Sequence, residues 1–146
     1  MKLEYIIVLV TCGSEEEALK IAHSLVEERL AACVNVISPV RSIYRWEGKV
    51  WDEKEWLLII KTQAKRFVEL EKRVKSLHSY AVPEIISLPI VEGSSPYLNW
   101  IMENTKQKLK GSRIQGARVR VKTERIIQKI ENRIKGENKK IKPSNP

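Results

Sequence analysis

The chain has 146 residues, 42% hydrophobic and 31% charged, which describes one globular domain with room for an appendage and excludes disorder throughout. Its two cysteines, Cys12 and Cys33, are too few for a disulfide scaffold and point to a reducing compartment. The formal net charge of +9 looks like a nucleic-acid signature until it is located: residues 106–146 hold 14 basic and 3 acidic residues, residues 1–105 hold 13 and 15. The body is nearly neutral and the basicity belongs to a tail.

In chain order, Leu3–Thr11 is apolar and β-branched, is bounded by Gly13, and reads as a buried central strand. Ser14 followed by Glu17 has the spacing of a capping box, so a helix starts there, with Ala18, Ile21, Ala22 and Leu25 on its inner face. Cys33–Tyr44 reads as a second strand, in which Pro39 demands a bulge or an edge. Trp46-Glu47-Gly48-Lys49 is a hairpin turn with glycine at a positive-φ position, and Glu55–Thr62 is the third strand. Phe67, Leu70, Val74 and Leu77 mark a second amphipathic helix. Pro83–Val91 is a fourth strand, and a short helix follows from Pro96 to about Asn104. The order β-α-β-β-α-β makes this an α+β chain with the split βαβ arrangement of a ferredoxin-like sandwich. Right-handed crossovers put the first strand between the third and fourth, with both helices on one face. The other face then needs cover, and Tyr44, Trp46, Trp51 and Trp56 on and around the hairpin are expected to pack against other subunits.

Catalytic motifs are missing. There is no Gly-x-Ser-x-Gly, His-Glu-x-x-His or Cys-x-x-Cys, and His23 and His78 are the only histidines. The spacing Gly111 to Gly116 imitates a phosphate loop but is followed by Ala117-Arg118 and has no preceding strand. With no apolar run long enough to span a bilayer and no signal-peptide pattern, the expected location is the cytoplasm.

Five ordered segments, Leu30–Asn35, Ser42–Gly48, Ile60–Thr62, His78–Ile85 and Tyr97–Ile101, resemble the CutA divalent-cation tolerance family over about residues 4–104. The resemblance implies a ferredoxin-like fold, a tight homotrimer with an interlocking long hairpin, and a link to divalent-metal tolerance, copper above all. It implies no defined reaction. The family usually has His-Pro-Tyr and then an acid where this chain has His78-Ser79-Tyr80-Ala81, and Val10 stands where some members carry a cysteine, two residues before Cys12. By topology, the end of the first strand, the end of the second helix and the start of the fourth strand meet at one sheet edge. Those positions carry Cys12, His78 and Glu84, a thiol, an imidazole and a carboxylate of the kind copper or zinc accepts. Cys33 falls at the opposite edge and reads as core packing. His23 lies on the first helix between apolar positions and reads as a surface or boundary residue.

The sequence thus divides into a domain at 1–105 and a basic extension at 106–146. Within the extension, Ile126, Ile127, Ile130 and Ile134 line one face of a helix expected at 124–135, which Gly136 could end. The expected function is that of a non-enzymatic homotrimer binding divalent cations in metal tolerance or homeostasis. No cofactor is required, and copper or another divalent cation is the candidate ligand. The alternative is a trimeric adaptor that binds a small ligand at subunit clefts. Membrane partners are not expected, and nucleic acid could be reached only through the tail.

Overall fold

The computed structural model describes residues 3–107, 124–133 and 135. Strand β1 (Tyr5–Cys12) alternates without a break: Ile6, Val8, Val10 and Cys12 are buried, and Tyr5, Ile7, Leu9 and Thr11 are half-buried. The apolar run is thus a central strand whose two faces differ. Helix α1 (Glu15–Glu27) begins where the Ser14 hydroxyl accepts the Glu17 N–H at 3.2 Å, and Glu15, Glu16 and Glu17 oppose the positive end of its dipole. It ends at Arg29, which takes φ 59° as a left-handed cap.

Strands β2 (Cys33–Trp46) and β3 (Lys49–Gln63) form one long hairpin. Its turn places Glu47 at φ 51° and Gly48 at φ 73°. Positive φ at both central positions is the turn geometry that matches the twist of the strands. The ladder slips between Ile37 and Val40, at Pro39, which has no N–H to donate to it. The bulge the proline demanded is therefore present. A 3₁₀ turn (Ala64–Arg66) leads into α2 (Phe67–Leu77), followed by β4 (Ile85–Pro89) and α3 (Ser95–Asn104).

The sheet order is β2-β3-β1-β4 and every pairing is antiparallel. This is a four-stranded α+β arrangement with the first strand between the third and fourth, as the crossover rule requires. Both helices lie on one face. Leu25 and Ile21 of α1 and Leu70 and Val74 of α2 join Ile6, Val8, Val10, Leu58 and Ile60 in a single core. The buried Thr62 hydroxyl donates to the Leu30 carbonyl at 2.7 Å, tying β3 to the end of the α1 segment. On the opposite face α3 packs against β3, where Gln63 Nε2 donates to the Met102 carbonyl at 3.4 Å, and the β4 side stays open: Ile86 and Leu88 are 50% and 49% exposed.

The sequence placed the third strand at Glu55–Thr62. It actually begins at Lys49, and β2 runs to Trp46. Because β1 ends with Cys12 opposite Trp56, residues 40–55 leave the body as a two-stranded arm. On this arm Ile43 is 67% and Val50 55% exposed. A ribbon with no core face carries no apolar alternation, so its length is invisible to periodicity.

The body closes at its C-terminal end through Thr105. This residue is fully buried; its hydroxyl donates to the Ile101 carbonyl at 2.7 Å and accepts from Gln63 Nε2 at 2.8 Å. Residues 124–133 and 135 are helical, with Ile126, Ile127 and Ile130 half-buried. Ile134, Gly136 and the Gly111–Gly116 spacing lie outside the described residues. Among the described residues no helix is long and apolar enough to cross a membrane.

Candidate functional site

Cys12 ends β1, Glu17 stands in the first turn of α1, and His78 follows the last residue of α2. Right-handed packing brings these three element ends together. Their ligand atoms, a thiol sulfur, a carboxylate oxygen and an imidazole nitrogen, lie within 4.8 Å of one another. Of the residues expected from the sequence, Cys12 and His78 therefore converge.

Glu84 does not join them, and this corrects the expected ligand set. Ile85 packs against the core while Ile86 and Leu88 face the open side. By the two-residue period of a strand, Glu84 shares the open side and Cys12 the helix side. The carboxylate that replaces it is Glu17. Its spacing from Ser14 marked it as a capping residue, and that reading is half right. The Ser14 cap forms, but the Glu17 carboxylate accepts from the Ser79 N–H, and from the Ser79 hydroxyl at 3.1 Å. The signal that could have found it is a first-turn glutamate directly after a strand-end cysteine.

The surroundings of His78 and Cys12 set the form each takes. His78 Nδ1 accepts the Tyr80 backbone N–H at 3.1 Å, and Nε2 lies 2.7 Å from the Thr11 carbonyl. A backbone N–H can only donate and a carbonyl can only accept, so the ring is the neutral tautomer with its proton on Nε2. The Cys12 thiol is buried, and burial first, then the Glu17 and Glu55 carboxylates, push its pKa up to about 12. The donor set matches copper or zinc in type. Binding of an ion here would displace the thiol proton to solvent and break one of the two imidazole hydrogen bonds.

On the open side, Glu84 borders a cleft of about 640 Å³ at the root of the hairpin arm. Tyr44, Trp46, Glu53 and Glu55 of the arm form one wall and Tyr80 to Glu84 the other. The Tyr80 hydroxyl donates to Glu55 Oε2 at 3.0 Å, and the Tyr44 hydroxyl donates to Glu53 Oε2 at 2.8 Å. Glu55 is only 5% exposed. Partial burial, then Glu55, raises the Glu84 carboxyl above the usual range, and burial and the Glu55 bond raise the Tyr80 hydroxyl. Gly13 is required here: a Cβ on it would stand 2.8 Å from the Tyr80 hydroxyl oxygen.

The four aromatic residues expected at a subunit contact separate into different surroundings. Trp56 packs against the core of its own chain, with Lys54 Nζ 5.1 Å from its ring centre. Trp51 donates Nε1–H to the Trp46 carbonyl at 3.1 Å and lies under Lys49. Tyr44 and Trp46 are 37% and 45% exposed and line the cleft. Cys33, at the far edge, is half-buried beside Lys61 Nζ at 3.8 Å.

Comparison with known proteins matches residues 6–104 to the family described as CutA1 divalent ion tolerance protein. The chain is 56% identical over 99 residues to the divalent-cation tolerance protein CutA of Thermus thermophilus, covering 68% of this chain and 96% of that one. It is 46% identical over 101 residues to the chloroplastic protein CutA of Arabidopsis thaliana, covering 69% of this chain and 56% of that one. The solved structure of a divalent cation tolerance protein from Thermus thermophilus superposes with a TM-score of 0.69 at 54% identity, over 70% of this chain and 99% of that one.

Proposed function

The chain belongs to the CutA1 divalent ion tolerance family, and on that premise we propose that it is a non-enzymatic homotrimer that binds a divalent cation, copper above all, through Cys12, Glu17 and His78. The observation that carries this reading is the convergence of the three ligand atoms within 4.8 Å at the ends of β1 and α2 and the start of α1. Thiolate and imidazole favour copper and zinc over magnesium or calcium, and the carboxylate completes a mixed set. When bound, the ion would supply a charged centre that the three side chains hold, with water or another subunit filling the remaining positions. One of the two backbone groups now on the ring, the Tyr80 N–H or the Thr11 carbonyl, would give way to the ion, and the other would keep the imidazole oriented.

The sheet order and the packing of α1 and α2 on one face support the ferredoxin-like description. Homotrimer formation is supported by the half-exposed Ile86 and Leu88 on the open face and by the arm with its exposed Ile43 and Val50. A two-stranded ribbon is marginal alone in water, and such apolar surface calls for a partner. Metal tolerance in the cytoplasm is the role that fits a cation-binding protein of this family. Calorimetric titration with Cu and Zn, alongside light scattering, tests the whole reading. The expected result is one saturable site per chain in a trimer, weakened most by His78→Ala. A monomer at micromolar concentration would overturn the assembly, and affinity unchanged in His78→Ala, Cys12→Ala and Glu17→Gln would overturn the site.

A further inference from the structure

We propose that Ser79 is a positioning residue of the Cys12–Glu17–His78 cluster, and that it sets the preference of that cluster for zinc over monovalent copper. The inference rests on the metal reading above and assigns the residue that makes Glu17 a usable ligand. Ser79 follows His78 in the bend that leaves α2, and its side chain is exposed, so it contributes nothing to the core. That bend turns two successive backbone N–H groups toward the cluster. The Ser79 N–H donates to Glu17 Oε1, and the Tyr80 N–H donates to His78 Nδ1 at 3.1 Å. The Ser79 hydroxyl adds a second bond, to Glu17 Oε2 at 3.1 Å. Two donors on two oxygens fix both the direction and the plane of the carboxylate. Its backbone is fixed separately, by the Ser14 hydroxyl that accepts the Glu17 N–H.

The clamp orients Glu17 without using it up. An ionised carboxylate offers about four lone-pair positions, and the two Ser79 bonds take two of them. The rest can serve an ion lying between this carboxylate, the Cys12 sulfur and the His78 ring, whose ligand atoms are within 4.8 Å of one another. Without those donors a first-turn glutamate samples several staggered rotamers in water, and holding one of them costs side-chain entropy at the moment of binding. The consequence differs between ions. Thiolate and imidazole are donors that suit Cu(I), which gains little from a carboxylate. Zinc fills four positions, and an oriented Glu17 raises its protein ligands from two to three. Ser79 therefore acts on zinc through Glu17 and leaves Cu(I) nearly untouched.

The test measures two ions on the full-length chain: zinc by calorimetry, and Cu(I) by competition with a chromophoric chelator under oxygen-free, reducing conditions. The variants are Ser79→Ala, Ser79→Thr, Glu17→Gln and the double variant Glu17→Gln with Ser79→Ala. Ser79→Ala is expected to weaken zinc about tenfold, the lower end of what losing a ligand's orienting partner costs, with Cu(I) affinity unchanged. Ser79→Thr keeps both donors and should restore wild-type zinc affinity. In the Glu17→Gln background Ser79→Ala should cost nothing further, because the group it positions is gone. Zinc affinity unchanged in Ser79→Ala overturns the proposal. So does an equal loss for zinc and Cu(I), which a general disturbance of the bend would produce, and so does a full additional loss in the double variant. Wild-type protein that binds neither ion overturns the metal reading as well, an outcome distinct from zinc binding that is indifferent to Ser79.

Discussion

The buried thiol of Cys12 makes a quantitative demand on metal binding. With its pKa pushed up to about 12, only about one thiol in 10⁵ is ionised at pH 7, and the ionised fraction rises tenfold per pH unit up to that value. If the ion takes the thiolate, it must expel that proton, so the apparent binding constant gains about one logarithmic unit per pH unit from this ligand alone. Between pH 6 and pH 8 that is about 100-fold. The perturbation is Cys12→Ala, which removes the titrating group at a packing cost of about 1–2 kcal/mol. The assay is zinc calorimetry across pH 6–8 in buffers of different ionisation enthalpy, which counts protons released. Wild type should release one proton more per ion than the variant, and its affinity should climb more steeply by one unit per pH unit. Equal slopes and equal proton counts would refute the assignment of Cys12 as a ligand, whatever the absolute affinity.

Other outcomes follow from the same geometry. Native protein treated with a thiol reagent at pH 8 should modify half-buried Cys33 well before fully buried Cys12, which should react only on unfolding; mass spectrometry of the labelled peptides decides this. The raised Cys12 pKa also sets an alkaline limit. Its neutral burial contributes stability below the unfolded thiol's pKa of about 8.5, and that contribution is lost as pH rises toward about 12, so chemical denaturation should show stability falling above pH 9. Gly13→Ala should displace the Tyr80 hydroxyl and leave the nearly buried Glu55 short of a partner, costing about 1–3 kcal/mol, and combined with Tyr80→Phe it should be less than additive in thermal melts. Thr105→Val removes the bonds to Ile101 and Gln63 and should cost about 1–2 kcal/mol by urea titration, whereas a chain ending after Gln107 should keep a cooperative transition.

Local chemistry settles much of this protein's structure. The strict spacing of Ala18, Ile21, Ala22 and Leu25, the Ser14 cap, the Glu47-Gly48 turn and the bulge at Pro39 are short-range devices, and each acts within a few residues of itself. Element order with right-handed crossovers then fixed the place of β1 between β3 and β4. The convergence of Cys12 with His78 follows from the same topology, since both end elements that pack together. Three things needed the tertiary structure. The arm from residue 40 to 55 has no core face and so no apolar period to announce its length. Glu17 reads as a cap until α2 delivers Ser79 to its carboxylate across 62 residues of chain. Glu84 is a plausible ligand by edge alone, and only the parity of β4 against the core puts it on the other face of the sheet, beside Glu55. A strand's period decides faces, but its phase is set by the partners it packs against, and those partners are distant in sequence.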